Sequence, residues 1–507
     1  MGDAGALASF GFDPSLLAPV GFAAAGALFV LLGEVWLARG GRRPTAGPTL
    51  AFVAVVALAL AALTAASSFA SGVDALVAPA RPMLRVDALA SFACAAIAVA
   101  SIVAIWFTRN YLAALDIDEG ELYALLLLSV AGAFVTVQAV DLVALFMGIE
   151  LMSLPAYALA GFDRRRLASN ESGLKYFLVG SFASAVLLYG MALLYGATGA
   201  TSFEGVRAGF AGTNALALGG LALVLAGFAF KIAAVPFHQW APDVYEGAPT
   251  PVTAFMATAV KIAGVVALLR FAGTVIPGPG EVPGLGDDVR RVFAVLAVAT
   301  LVVGNAMALL QTNLKRMLAY SSVGHVGFAL VGLAVGGATA DAAVLFYLVA
   351  YALASAGALG VVASLAHGGR ERDRIDDLAG LAHARPGLAA VLALFLLSLA
   401  GIPGTAGFWA KLYVLAAAVG DGHLVLALAG VLTTAASLWF YLRPMVAMYM
   451  RDPVDGDPGE IDFMPTLALA VCAIATLWLG LFPTADPLFG VLDPSAIARA
   501  AAEAIGR

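Results

Sequence analysis

Glu150, Lys231, Lys261 and Lys411 each fall near the middle of a long apolar run: VALFMGIELMSLPAYALAGF, GFAFKIAAVPFHQWAP, TAFMATAVKIAGVVALLRF and PGTAGFWAKLYVLAAAV. A charge at the centre of a bilayer costs about 2.5–3.5 kcal/mol on insertion scales, so such residues mark ion or proton routes. Two of them stand beside helix breakers. Pro236 follows Lys231 by five residues, and Gly401-Ile402-Pro403-Gly404 precedes Lys411. Proline lacks an N–H and clashes with the turn before it, so each apolar run should read as helix, extended piece, helix. Transporters build ion sites from a charge beside such a break. The chemistry that suits these side chains is proton transfer. Burial disfavours an ammonium and a nearby carboxylate favours it, so a lysine held between the two influences loads and releases a proton. Glu150 is the expected ion-pair partner of Lys231. A sodium site on Glu150 is the alternative, with little oxygen-rich company to support it. For any single member of the set, a static salt bridge or a snorkelling lysine is the structural alternative.

Polar residues between these charges are candidate relays. His325 lies in LAYSSVGHVGF with Tyr320, Ser321 and Ser322, and His238 follows the first break. A lone histidine on an apolar helix is more often a satisfied core residue. His325 is the better relay of the two, because it falls mid-span between the halves of the chain. Lys175 opens one span within a turn or two of the membrane core and is a further relay candidate. Lys315 opens another and reads as an interfacial anchor. No metal site is expected, since Cys94 and Cys472 stand alone in apolar runs and form no CxxC pair.

The elements that position these groups follow from composition. The 507 residues are 62% hydrophobic and 12% charged, against about 25% charged in soluble domains. The chain is an all-α polytopic membrane protein. About 20 apolar residues cross a bilayer, which gives about fourteen spans. Four regions are expected: 1–120 with the first three spans, 121–273 and 291–449 as two five-helix units, and 464–507 with the last span and a short tail. Broken spans seven and twelve take the same place in the two units, and five is odd, so the second unit should be inverted. One set of loops carries roughly fifteen Lys and Arg, including Arg42, Arg109 and Arg164 to Arg166, and the other roughly eight, including Arg81, Arg270 and Arg507. The basic side should be cytoplasmic, which puts both termini outside. The first apolar run, with no positive segment before it, should be retained as a span. Net charge is −6 with no basic tract, which argues against a nucleic-acid partner. No loop is long enough for a nucleotide-binding or redox domain.

The segments FKIAAVPFHQWAPDVYEGAPTPVTAFMATAVKIAG, NLKRMLAYSSVGHVGF and GIPGTAGFWAKLYV resemble the antiporter-like membrane subunits of proton-pumping NADH:quinone oxidoreductase, respiratory complex I. Within that family they are most similar to the subunit N branch, related to the second mitochondrial ND subunit. The lysine of the twelfth span and ESGLKYFLVGSFASAVLLYGMALLYG favour that branch. The resemblance implies Lys231 as central loading lysine, Glu150 as its partner, Lys261 as the link between halves, and Lys411 on the second half-channel. It gives His325 weaker support. It implies that this chain binds no cofactor, while NADH, FMN, iron–sulfur clusters and quinone belong to other subunits. Its partners would be other membrane-arm subunits and lipid, in the bacterial inner membrane. One departure stands out: where the family often has a second proline in the later break, this chain has Gly404, which should loosen the break. A subunit of a multisubunit sodium/proton antiporter, a structural membrane scaffold, and a translocating dehydrogenase with another electron donor are the alternatives.

Overall fold

The computed structural model describes residues 13–39, 43–78, 82–117, 120–212, 214–278, 281–282, 284–453, 461–482 and 494–504. Arg42, Arg81 and Arg507, counted above for orientation, lie outside them.

Long apolar stretches without interior breakers give the main helices: α1 (Ala18–Arg39), α2 (Arg43–Ala70), α3 (Ala88–Ala114), α4 (Gly120–Gln138), α5 (Leu142–Ala160) and α6 (Leu167–Thr198). Then come α7 (Ala215–Lys231), α8 (Trp240–Gly247), α9 (Thr250–Val275), α10 (Leu285–Leu309), α11 (Leu314–Val335) and α12 (Ala338–Ser364). The order closes with α13 (Pro386–Ala400), α14 (Ala406–Gly420), α15 (Leu424–Met450), α16 (Phe463–Leu481) and α17 (Pro494–Glu503). A two-stranded ribbon, β1 (Ala75–Leu76) against β2 (Arg85–Val86), precedes α3. Short polar side chains start several helices. Asp87, Asp141, Asn214 and Asn313 each accept a hydrogen bond from a first-turn amide, which satisfies donors a helix cannot.

Among the described residues, twelve helices are long and apolar enough to cross a membrane. That is two fewer than the fourteen expected; α7, α13 and α14 are shorter apolar helices, in the segments where the breaks were expected. α7 stops at Lys231 and helix resumes at Trp240; α13 stops at Ala400 and helix resumes at Ala406. α9 has a feature composition does not reveal, a π-helical turn at Met256–Val260 immediately before Lys261.

Lipid is as apolar as a helix face, so contact between spans relies on close approach at small residues. In the α4–α5 hairpin a Cβ on Gly132 would lie 2.2 Å from the Met152 amide nitrogen, and in α10–α11 one on Gly304 would lie 2.5 Å from that of Gly324. The most buried membrane-crossing helices, α9, α11 and α12, form the centre. The membrane-crossing windows of α9 and α11 are wholly buried, whereas those of α1 and α2 are mostly on the outside.

Candidate functional site

The first interruption is held by side chains that reach across it. The Val235 amide, freed from the helix ladder, donates to Thr300 Oγ1 of α10 at 3.1 Å, and the Trp240 indole N–H donates to the Phe230 carbonyl at 3.1 Å. Lys231 is the last residue of α7 and is 7% exposed. Its Nζ donates to Ser153 Oγ of α5 at 2.8 Å. Ser153 in turn donates to the Ile149 carbonyl, and Ser184 of α6 donates to the Glu150 carboxylate. The expected direct pair of Glu150 with Lys231 is therefore not formed. The charge of Glu150 still acts on Lys231, but α5 presents Ser153 to α7 and Glu150 to α6.

Lys261 opens the α-helical part of α9 after the π turn and is buried. Its Nζ donates to the Ser322 carbonyl at 3.2 Å and to Ser322 Oγ. Tyr351 OH of α12 donates to the same Oγ at 2.8 Å, and its ring centroid lies 5.8 Å from the ammonium. One turn along α11, His325 bonds Tyr347 OH through Nδ1 at 2.5 Å and Tyr441 OH through Nε2 at 3.1 Å. Tyr441 OH also shares a hydrogen bond with Ser321 Oγ. His325 lies within the fields of both Lys261 and Lys411. Lys411 Nζ donates to the Ala400 carbonyl at 2.9 Å, at the end of α13, and sits 5.5 Å from the Phe328 ring centroid. Helix C-termini carry partial negative charge, so an ammonium is favoured there. Among the described residues, none of these three lysines makes an ion pair.

Two sequence candidates stand apart from this set. Lys175 has a side chain 43% exposed and pairs with Glu171 at 2.6 Å and Asp243 at 2.8 Å. Arg316 bonds Asp243 at 2.6 Å and Glu246 at 2.8 Å, so Lys175 belongs to a charge cluster around α8. His238 lies in the break beside Pro236, its ring centroid 6.4 Å from that of Tyr320. Its Nδ1 is buried with no hydrogen-bond partner among the described residues. Pro403 and Gly404 lie between α13 and α14, where Gly401 (φ 87°) and Gly404 (φ 89°) take left-handed conformations.

Several charges were misread or missed in the sequence. Arg270, counted as a loop cation, is a buried residue of α9 that grips Asp87 with two bonds of 2.6 and 2.7 Å. Lys315, read as an interfacial anchor, is fully buried and bonds Glu371 at 2.9 Å. A carboxylate from the loop after α12 reaches over it, which is why it need not extend to the membrane surface. Tyr347, Tyr351 and Tyr441 were missed as partners of the polar line. The one available signal was the four-residue spacing of Tyr347 and Tyr351, which puts both hydroxyls on one helix face.

Residues 139–437 match the family model described as NADH:quinone oxidoreductase/Mrp antiporter, TM. NADH-quinone oxidoreductase subunit N of Chloroflexus aggregans is 40% identical over 495 residues, covering 96% of this chain and 97% of the relative. The subunit N of Paramagnetospirillum magneticum is 41% identical over 404 residues, 78% of this chain and 82% of the relative. Among solved structures, a chain of respiratory complex I from Thermus thermophilus with bound aureothin is 31% identical. It superposes with a TM-score of 0.77 over 92% of this chain and 97% of that one. The family match covers both breaks, Glu150, Lys231, Lys261 and Lys411 and the helices that hold them, and this multi-pass membrane protein belongs to the NADH-quinone oxidoreductase subunit N family.

Proposed function

We propose that the chain moves protons within the membrane arm of an NADH:quinone oxidoreductase, with Lys231, Lys261 and Lys411 as stations and Glu150 as the charge that biases the first. The observation that carries this reading is the bonding of the three lysines. Each donates to a neutral hydroxyl or carbonyl oxygen, so its deprotonation orphans no salt-bridged carboxylate. A lysine locked in a buried ion pair would be costly to neutralise. His325, with Tyr347, Tyr351, Tyr441, Ser321 and Ser322, supplies hydroxyl and imidazole groups between the second station and the third.

In this mechanism a charge arriving at Glu150 from a neighbouring subunit changes the preference of Lys231 for its proton. The ammonium of Lys231 gives a proton up, the amine of Lys261 takes one, and Lys411 completes the transfer. Redox groups, NADH and quinone are assigned to partner subunits of the complex, and the energy reaches this chain as movement of charge. The two five-helix units, 121–273 and 291–449, are read as inverted copies that each contribute one broken span, and their glycine-packed hairpins α4–α5 and α10–α11 occupy equivalent places. The chain is assigned to the bacterial plasma membrane with both termini on the non-cytoplasmic side.

The test is proton translocation in membranes carrying Lys231→Ala, with the amount of assembled complex measured alongside. Assembled complex with translocation and coupled quinone reduction both depressed is expected. Normal translocation by assembled complex would make the charges structural.

A further inference from the structure

Glu371 lies on the loop between α12 and α13, yet its side chain is 6% exposed. Separate parts of the chain converge on its carboxylate. Lys315 Nζ donates at 2.9 Å and Tyr111 OH of α3 at 2.9 Å. Thr250 Oγ1 and the Arg166 guanidinium donate as well. Lys315, with no exposed surface, gives a second hydrogen bond to the Ala248 carbonyl at 2.7 Å. The same loop is tied down nearby: the Leu314 amide donates to the Asp373 carbonyl at 2.6 Å, and Asn313 Nδ2 to the Asp373 carboxylate at 2.8 Å.

Two of the donors open helices. Thr250 is the first residue of α9 and Lys315 the second of α11. Farther along those helices stand Lys261 and Ser322, the two residues that bond each other in mid-span. A helix advances about 1.5 Å and 100° per residue, so holding its first turn fixes the height and direction of a side chain two or three turns on. The π turn at Met256–Val260 lies between Thr250 and Lys261. A π turn departs from the α ladder, so the direction of Lys261 depends on where the start of α9 is held.

We infer that Glu371 is a positioning residue: by clasping Thr250 of α9 to Lys315 of α11 it sets the register in which Lys261 meets Ser322, and through it the proton transfer between the two halves of the chain. The inference rests on the reading of Lys261 as a proton station. Burial works against the Glu371 carboxylate, but Lys315 and Arg166, with the hydrogen bonds from Thr250 and Lys315, hold its pKa down at about 2. It is a fixed anchor, not a titrating relay.

The experiment compares the full complex carrying Glu371→Gln, Thr250→Val, Thr250→Ser or Lys261→Ala. Three quantities are read: assembled complex, protons moved per quinone reduced, and the solvent deuterium isotope effect on turnover. Thr250→Val removes one hydroxyl at nearly constant shape, so it still tests the clasp if Glu371→Gln does not assemble. For Glu371→Gln and Thr250→Val the expected result is assembled complex with a lower proton yield and a raised isotope effect. Thr250→Ser should restore both. Normal yield and isotope effect per assembled complex in Glu371→Gln and Thr250→Val, with Lys261→Ala impaired, would overturn the clasp as a positioning device. Normal yield in Lys261→Ala would instead sink the reading on which it rests.

Discussion

At the first interruption the lysine ends the helix before the break; at the second it lies six residues into the helix that follows it. Lys231 is served by a side chain, Ser153, on a helix that also carries Glu150. Lys411 is served by the main chain, through the Ala400 carbonyl that the break itself frees. The left-handed turn is also made differently: Ala233 (φ 60°) takes it in the first break, Gly401 and Gly404 in the second. The first lysine is thus open to adjustment by neighbouring side chains and by a carboxylate. The second is set by a main-chain carbonyl, which no side-chain truncation removes. The two breaks thus differ in kind: a side-chain acceptor serves the lysine of the first and a main-chain acceptor that of the second.

The comparison is broken most directly at Ser153. Ser153→Ala leaves the Lys231 ammonium without its hydroxyl acceptor, a loss of about 1.5–3 kcal/mol for a hydrogen bond to a charged group. Proton translocation at fixed pH should fall about tenfold or more, since each 1.4 kcal/mol is a factor of ten. Unchanged translocation would mean that Lys231 does not depend on that bond. At the second break the matching change is to the backbone. Gly401→Ala puts a methyl on a residue at φ 87° and 2.9 Å from Lys411 Cδ. Such strain costs about 1–3 kcal/mol. The purified complex should melt lower and pump less, and a variant with both properties unchanged would show that the second break tolerates movement.

The reverse substitution sharpens the contrast. Ala233→Gly relieves a left-handed alanine, offset in part by chain entropy, and should raise stability by up to about 1 kcal/mol. Proton yield should stay as it is; a fall would place the rigidity of Ala233 in the mechanism. The smallest expected effect is that of pH on the Glu371 clasp. Its folded pKa of about 2 lies below the ordinary 4.5. A depressed carboxylate contributes stability that is full above the unfolded value and lost as pH falls through the folded one. Between about pH 5 and 8 the clasp should therefore add nothing to the pH dependence of stability. Glu371→Gln and the parent complex should give parallel melting curves against pH in that range; diverging curves would contradict a fixed anion.

Much of this was legible in the chain itself. Runs of about 20 apolar residues have no alternative to helix in a bilayer, because every backbone polar group must be satisfied internally. Pro236 and Gly401 to Gly404 marked both interruptions for the same local reason. The four charges were visible because each falls near the middle of a long apolar run. Their partners were not. Ser153 lies three residues from Glu150, and sequence gives no sign of which of the two faces Lys231. Arg270 looked like a loop cation until α9 proved to run past it to Val275. Glu371 sits in a loop crowded with charge, and only the fold shows that it is drawn in over Lys315.

The sequence by itself determined that the chain is helical, that it belongs in a membrane, and that a few charges lie where solvation is most costly. These follow from local composition and spacing, which each segment carries with it. Tertiary structure decided which oxygen each ammonium bonds and which helix starts are tied together. It also decided that a serine, not the carboxylate, touches Lys231. Those outcomes depend on the relative rotation and height of helices far apart in the chain. Apolar faces on every side leave that rotation unspecified until small residues and buried polar contacts lock it.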